Sequence, residues 1–165
     1  MSVPVRLERH PGQPLLVVRL SVGPQDLPRA VPSACGAVWK AVKSHGITGA
    51  GRLVAVYLDG AIHLEVGVEV DPPAASQGDL IASTTPSGPV ATATHFGPYS
   101  QLHQAHDAIH GFCRQNALTL AGPSWEVYGH WQDDWNHDPS KIRTDVYYLL
   151  TPDAAAPSLT ENAST

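Results

Sequence analysis

Short runs of apolar residues, bounded by Gly and Pro, follow one another along this chain. Residues 14–20 (PLLVVRL) and 90–96 (VATATHF) are β-type runs, and each is followed by a Gly-Pro turn. The same pattern predicts further strands at about 52–58, 62–70, 124–131 and 143–150, and two short strands at about 3–9 and 79–83. Strands therefore make up most of the predicted elements.

Two other segments carry their apolar residues at helical spacing, which predicts helices over about 33–45 and 99–116. The apolar stripes consist of Ala34, Val38, Ala41 and Val42 in the first segment and of Leu102, Ala105, Ile109 and Phe112 in the second. Because strands outnumber helices and each helix separates groups of strands, we predict an α+β fold with an antiparallel sheet.

The chain contains one internal repeat. Residues 37–57 (AVWKAVKSHGITGAGRLVAVY) align without a gap with residues 108–128 (AIHGFCRQNALTLAGPSWEVY), and 108 − 37 gives an offset of 71. Each copy reads strand, Gly-Pro turn, helix, strand, strand. We therefore predict one domain over 1–151 that is a tandem duplication, with halves at about 1–72 and 79–151. The two helices would flank a central groove where the halves meet, a favourable place for a ligand.

One aligned position differs in chemistry between the two copies. Ala55 lies in a strand that is apolar through Leu58, whereas its counterpart is Glu126. Strand alternation puts Glu126 on one face with Tyr128, and Trp125 on the other. A desolvated carboxylate costs free energy unless it is compensated, and a lipophilic cation would do this, with aromatic rings adding about 0.5–2 kcal/mol each. The alternative is a Glu on the wet face of a half-exposed sheet, and alternation alone does not decide between the two.

Composition excludes several classes of function. Lys and Arg number 10 and Asp and Glu number 15, so the net charge is 10 − 15 = −5, and we expect no direct binding to nucleic acid. Residues 80–106 carry no charged side chain, but their Ser, Thr, Pro and Gly content does not suit a membrane span. The N-terminus has no apolar signal segment, and Cys35 and Cys113 have no CxxC spacing. We expect a cytoplasmic protein with reduced thiols and a disordered tail over 152–165.

Several short motifs occur together in a fixed order. They are VAVYLDG (54–60), LEVGVEV (64–70), TPSGPVATATHFGPYSQL (85–102), GPSWEVY (122–128) and TDVYYLL (144–150). On these motifs the chain resembles the GyrI-like small-molecule-binding domains, also called AraC-type effector-binding domains, over about residues 3–151. The resemblance implies two strand-helix-strand-strand units around a central groove. It also implies binding of bulky, often cationic, aromatic compounds without a cofactor.

The resemblance further implies which residues contact the ligand. The glutamate of the W-E-x-Y motif, the central ligand carboxylate of the family, falls on Glu126, and the acid and tyrosine of the last-strand motif fall on Asp145 and Tyr147. Asp145 departs from the commoner Glu and is one methylene shorter. The full set of predicted ligand-binding residues is Glu126, Tyr147, Asp145, Tyr57, Trp39, Trp125, Tyr128 and Tyr99.

Two functions are open at this point. The favoured one is multidrug binding, as sequestration or sensing of a toxic compound. The first predicted strand begins close to Met1, so we expect a stand-alone domain without a preceding helix-turn-helix, and sensing would act through a protein partner or a homodimer. The alternative implied by the resemblance is a hydrolase that opens the cyclopropane of cyclopropanoid DNA-alkylating natural products. Glu126 would then be its acid and base.

Two features remain outside these interpretations. His103, His106 and His110 occur at i, i+3 and i+7 of the second predicted helix. This spacing fits either a transition-metal site or a polar stripe that faces solvent, and we favour the stripe and expect no metal. The connection 131–143, which contains Trp135, is predicted to be a flexible polar loop or lid.

Overall fold

The computed structural model describes residues 3–59, 63–71, 75–130 and 132–152. The strands are β1 Arg6–His10, β2 Pro14–Ser21, β3 Leu53–Tyr57, β4 His63–Glu69, β5 Ile81–Thr84, β6 Gly88–Phe96, β7 Leu120–Tyr128 and β8 Arg143–Leu150, and the helices are α1 Leu27–Ser44, α2 His103–Gln115 and α3 Asp134–His137. The predicted α+β class is confirmed. The tail predicted to be disordered lies outside the described residues from position 153 onward.

All eight strands within these ranges form one antiparallel sheet in the order β1-β6-β8-β7-β3-β4-β2-β5. The unit β2-α1-β3-β4 forms one side of the sheet and the unit β6-α2-β7-β8 the other, so the predicted duplication is confirmed. The edge strands are exchanged, because β1 pairs with β6 of the second unit and β5 pairs with β2 of the first. The exact boundaries between the two halves stay a prediction.

The two units join through β3 and β7, and the register of this pair locates the pseudo-twofold axis. Ala55 pairs directly with Glu126. These positions are also counterparts in the repeat, since 126 − 55 = 71. A residue and its own counterpart meet only on the symmetry axis. The position at which the two copies differ in chemistry is therefore at the centre of the molecule.

Two short connections require the sheet to curl. β1 and β2 are six places apart in the strand order, which would be about 29 Å in a flat sheet at roughly 4.8 Å per strand. The three residues 11–13 that join them span at most about 14 Å. The same holds for β5 and β6, which residues 85–87 connect. The sheet therefore bends until its two edges approach each other at this end, and it encloses a cluster of apolar side chains: Leu15, Val17, Val54, Val56, Val90, Trp125 and Val127.

The two long helices pack on the opposite face of the sheet, each against its own unit. Val31, Ala34, Val38 and Val42 of α1 join Leu64, Val66 and Val68 of β4 in one apolar cluster, and Ala105, Ile109 and Cys113 of α2 join Ala91, Ala93 and Val146 in a second. Among the described residues, no helix is both long enough and apolar enough to cross a lipid bilayer.

Helix α1 begins at Leu27, six residues before the predicted start. The first turns were not predicted because Pro28 and Pro32 lie in them, and proline inside a helical pattern usually indicates the end of a helix. Pro28 lies in the first turn, where its missing N–H has no intrahelical partner to lose. Helix α2 begins at His103, and the preceding residues Tyr99–Gln101 form a 3-10 turn rather than α-helix.

The connection before β8 is more ordered than the polar loop that the sequence predicts. It contains α3 and a 3-10 turn at Pro139–Lys141. Trp135 is only 6% exposed, and its ring lies against Gly129, where an added Cβ would meet it at 3.0 Å. A buried tryptophan therefore anchors this segment to the end of β7.

Candidate ligand-binding site

A cavity of about 1000 Å³ opens beside the centre of the sheet, between α1 and the turn that precedes α2. This is the upper end of the range for small-molecule sites, roughly 300–1000 Å³. Its lining is mainly apolar and aromatic: Leu27, Pro28, Val31, Pro32, Cys35, Gly36, Trp39, Gly51, Arg52, Leu53, Tyr57, Tyr99, Ser100, Leu102, Tyr128, Gly129 and His130.

Large aromatic side chains are left exposed where the cavity meets solvent. Trp39 of α1 is 42% exposed and Tyr99 is 46% exposed. Tyr99 contacts Tyr128 edge to face, with ring centroids 5.9 Å apart. Several exposed large apolar side chains around one concavity are typical of an interaction site. A flat hydrophobic molecule in the cavity would cover these rings.

Glu126 lies behind the tyrosines that line the cavity. It is 7% exposed, and its Oε1 accepts hydrogen bonds from the hydroxyl of Tyr128 at 2.6 Å and from that of Tyr57 at 3.3 Å. Its partner across the strands is Ala55, whose small side chain leaves room for the carboxylate. The negative charge is therefore central, desolvated and one hydroxyl group away from the cavity.

The second carboxylate oxygen faces α2. His106 Nε2 lies 2.6 Å from Glu126 Oε2, and His106 Nδ1 lies 2.6 Å from the hydroxyl of Tyr148. The sequence does contain a signal for this contact. His106 follows Leu102 by four residues and precedes Ile109 by three, and both are buried, so it borders the apolar stripe of α2.

Burial and the charge of Glu126 together change the acidity of the groups around it. Burial first, and then the negative charge of Glu126, raise the pKa values of Tyr57 and Tyr128. The same causes in the same order raise the pKa of Tyr148 to about 12 and that of Cys35 to about 11. These groups are therefore neutral at physiological pH, and the hydroxyls are available as hydrogen-bond donors.

Comparison with known proteins identifies the family. A family model described as the GyrI-like small molecule binding domain matches residues 4–150. The chain belongs to the GyrI-like family. Among curated proteins, none matches the sequence significantly.

Solved structures with the GyrI-like fold superimpose over most of this chain. The EcmrR C-terminal domain has a TM-score of 0.70 at 19% identity and covers 92% of this chain and 99% of its own. SAV2435 bound to tetraphenylphosphonium has a TM-score of 0.60 at 14% identity, with 90% and 94% covered. A hydrolase encoded by lin2189 from Listeria innocua has a TM-score of 0.58 at 14% identity, with 91% and 93% covered. At these identities the likeness shows the fold alone.

The GyrI-like groove of this chain brings together five of the eight residues predicted to bind ligand. Trp39, Tyr57, Tyr99 and Tyr128 line the cavity, and Glu126 lies behind the tyrosines. Their contact with a ligand stays a prediction. Strand alternation placed Glu126 and Tyr128 on one face, and the structure agrees.

The other three predicted residues lie on the opposite face of the sheet, which corrects the expectation of one shared groove. Glu126 pairs with Val146 across β7 and β8, so the flanking residues Asp145 and Tyr147 point the other way. Trp125 is 0% exposed and stacks on Tyr147, with centroids 5.2 Å apart and planes 9° apart. This pair belongs to the apolar core enclosed by the curled sheet and does not line the cavity.

Asp145 is held by neighbouring side chains. Its carboxylate accepts from Thr94 Oγ1 at 2.7 Å, from Arg52 Nη1 at 3.3 Å and from Arg143 Nε at 3.3 Å. Arg52 also donates to both carboxylate oxygens of Glu69. The guanidinium at the cavity rim is therefore shared by two carboxylates, and a cationic ligand would not meet an unpaired positive charge there.

The histidines of α2 have separate roles. His106 turns inward to Glu126, His110 Nε2 lies 3.2 Å from the Tyr148 hydroxyl, and His103 Nδ1 lies 3.3 Å from the carbonyl of Ser100. The expectation of a uniform stripe that faces solvent is therefore wrong for His106. In the described part of the chain, no group of three or more His, Cys, Asp or Glu side chains is placed to hold a metal ion.

Proposed function

We propose that this GyrI-like domain binds bulky, planar, hydrophobic molecules, preferably cations, in the cavity beside α1. One observation carries the proposal: a cavity of about 1000 Å³ with aromatic walls has a buried carboxylate directly behind two of its tyrosines. The rings of Trp39 and Tyr99 would stack on the ligand, and Glu126 would supply the charge.

The preference for a cation follows from the position of the charge. At an effective dielectric constant of about 20, a cation roughly 5 Å from the carboxylate gains about 3 kcal/mol. Each aromatic face adds about 0.5–2 kcal/mol for a desolvated cation. An anion would lose comparable amounts, so charge would decide between ligands of similar shape. The shape of the ligand itself is specified less closely, because hydrophobic aromatic walls are permissive.

A relative with the same fold supports this class of ligand, since SAV2435 was solved bound to tetraphenylphosphonium, a hydrophobic cation. We propose a role in sequestration or sensing of toxic compounds in the cytoplasm, and so in drug resistance. For the sensing role, we propose that a protein partner or a homodimer passes the signal on.

The test is a titration with the cationic dye rhodamine 6G, followed by fluorescence anisotropy, with wild type, Glu126→Gln and Glu65→Gln. We expect Glu126→Gln to weaken binding about 100-fold, the equivalent of about 3 kcal/mol. Glu65→Gln is the matched control, because it also neutralises a buried carboxylate, but one whose partners Arg19 and Ser83 do not line the cavity. Equal affinity of wild type and Glu126→Gln would refute the role of the carboxylate, and equal losses in both variants would refute the placement of the site.

Hydrolysis of a cyclopropanoid compound is the second candidate, and the Glu126–His106 contact of 2.6 Å favours it. A carboxyl group and an imidazole beside an apolar cavity have the components needed to move a proton to a leaving oxyanion or from a water molecule. The measurement is product formation from a cyclopropanoid substrate, detected by mass spectrometry. Turnover that disappears in Glu126→Gln would support this function, and unchanged turnover in the variant would exclude Glu126 as the acid.

A further inference from the structure

A continuous line of hydrogen bonds runs from the carboxylate behind the cavity wall along the side of α2 that faces the sheet. It begins at Glu126 and continues through His106 to the hydroxyl of Tyr148, with 2.6 Å at each step. It ends at His110, whose Nε2 lies 3.2 Å from the same hydroxyl. The rings of His106 and His110 both contact Tyr148 edge to face, with centroids 5.6 and 4.9 Å away. The carboxylate is thus linked to a half-buried imidazole one helical turn along α2.

This line is complete whether or not His106 carries a proton on both nitrogens. In the charged state, Nε2–H donates to Glu126, Nδ1–H donates to Tyr148, and the Tyr148 hydroxyl donates to His110. In the neutral state, Nε2–H still donates to Glu126, the Tyr148 hydroxyl donates to Nδ1, and His110 Nε2–H donates to Tyr148. Each contact keeps one proton in both states. His106 can therefore change its charge without leaving a buried polar group unpaired.

The ionisable groups around His106 come from every element that packs near it. They are Glu126 and Tyr128 from β7, Tyr148 from β8, Tyr57 from β3, Cys35 from α1, and His103, Asp107 and His110 from α2 itself. The tyrosines and Cys35 stay neutral because burial and Glu126 raise their pKa values. Of the three imidazoles in this group, His106 is the one that touches the Glu126 carboxylate.

We propose that His106 is the internal counter-ion of Glu126, and that its proton and a cationic ligand compete for the same carboxylate. Because of this competition, His106 makes the affinity of the site depend on the charge of the ligand. Binding of a cation would release one proton from His106. The proton would leave Nδ1 for the Tyr148 oxygen while the Tyr148 proton moves to His110 Nε2, and His110 would give up its other ring proton to water. A neutral ligand would leave the His106–Glu126 pair intact. This inference rests on the proposed function, and it assigns to α2 a specificity-determining residue.

The test compares a cation and a neutral molecule of similar shape, tetraphenylphosphonium and triphenylphosphine oxide, by calorimetry between pH 5.5 and 8. For wild type we expect the affinity for the cation to fall by up to tenfold per pH unit as the pH is lowered, because one proton competes with the cation. Calorimetry in buffers of different ionisation enthalpy should there show a release that approaches one proton per cation. The affinity for the neutral probe should be independent of pH.

Two variants separate His106 from the other titrating groups. His106→Gln keeps an N–H donor for Glu126 but cannot be charged, so the slope of cation affinity with pH should flatten and proton release should stop. His103→Gln is the matched control on the same helix, and it should behave like wild type. If His106→Gln does not fold, His106→Asn serves instead, with the same expected flattening of the slope and the same loss of proton release.

Nuclear magnetic resonance of ¹⁵N-labelled histidine gives a readout that does not depend on affinity. At one fixed pH in this range, addition of tetraphenylphosphonium should move the ring ¹⁵N resonances of His106 towards those of a neutral imidazole and leave those of His103 unchanged. The inference is overturned if wild type binds the cation through Glu126 but shows no proton release, or if His106→Gln retains the full pH dependence. In that case the proposed function still stands. A wild-type protein that binds no cation at any pH would instead refute the proposed function itself.

Discussion

The two tyrosine hydroxyls on Glu126 differ in a way that a mutational comparison can measure. Tyr128 donates at 2.6 Å and Tyr57 at 3.3 Å, both to the same carboxylate oxygen. Hydrogen bonds from a hydroxyl to a carboxylate are strongest near 2.5–2.7 Å. Replacement of each tyrosine by phenylalanine removes the hydroxyl and keeps the ring. We expect Tyr128→Phe to lower the free energy of unfolding by about 1.5–3 kcal/mol, and Tyr57→Phe by about 0.5–1.5 kcal/mol.

The assay is urea unfolding followed by tryptophan fluorescence, with the free energies compared at an unchanged m value. For a chain of this size, a loss of 1.5–3 kcal/mol corresponds to a melting temperature lower by roughly 3–12 °C. A double-mutant cycle with Glu126→Gln isolates the contribution of the carboxylate. The reasoning is refuted if both phenylalanine variants lose the same amount. It is also refuted if the loss in Tyr128→Phe is the same with Gln at position 126, because the hydroxyl would then not be bonded to the charge.

Three further predictions concern other parts of the molecule. Burial and Glu126 raise the pKa of Cys35 from 9.0 to about 11, so its alkylation rate at pH 7 should be about 100-fold below that of an unperturbed thiol. Measured in a Cys113→Ser background, which removes the second thiol, the rate should still rise about tenfold per pH unit between pH 9 and 10. A rate that levels off near pH 9 would contradict this. Burial lowers the pKa of His10 below 6.5, so as the pH falls His10 is protonated in the unfolded chain at a higher pH than in the folded protein. The free energy of unfolding therefore decreases as the pH falls through 6.5 towards the pKa of the folded state. His10→Asn should reduce this loss between pH 7 and pH 5 in urea unfolding, and an undiminished loss would assign it to other histidines. An added Cβ at Gly67 would lie 2.1 Å from the carbonyl oxygen of Leu16, so Gly67→Ala should lower the free energy of unfolding by about 1–3 kcal/mol or more. A variant as stable as wild type would show that the two strands can move apart.

The repeat predicted the architecture, and strand alternation predicted that Glu126 and Tyr128 share a face, but alternation did not decide whether that face lies towards solvent. Alternation assigns residues to faces within one strand, but it does not relate the faces of two strands, because a shift of one residue in register exchanges them. The register Glu126–Val146 places Asp145 and Tyr147 on the other side of the sheet. The family motif pointed to these positions in the chain, and their contact with a ligand stays a prediction. The register shows that they do not share a cavity.

The contact between His106 and Glu126 was missed for a related reason. A histidine at the border of an apolar helical stripe has two possible directions, and the helical period alone does not choose between them. The choice depends on what lies opposite, and here a buried carboxylate and a tyrosine hydroxyl from different strands supply both partners. The start of α1 was missed because local rules treat Pro32 as a helix break, whereas the apolar face of the helix, with Val31 and Ala34, packs on the sheet.

The position of the acid explains why the duplication had to become asymmetric at this point. Counterparts in a duplicated fold are normally far apart, but on the axis they face each other across two strands. Two glutamates at positions 55 and 126 would be a directly opposed like-charge pair, with Cβ atoms about 4.5–5.5 Å apart, which is destabilising. One glutamate opposite one alanine avoids this repulsion and leaves space for the carboxylate. The same asymmetry lets a tyrosine from each unit, Tyr57 and Tyr128, donate to a single charge. Tyr57 and Tyr128 are counterparts in the repeat, so the duplication provides the two donors. The one pair of counterparts that differs in chemistry, Ala55 and Glu126, provides the single carboxylate that accepts from both.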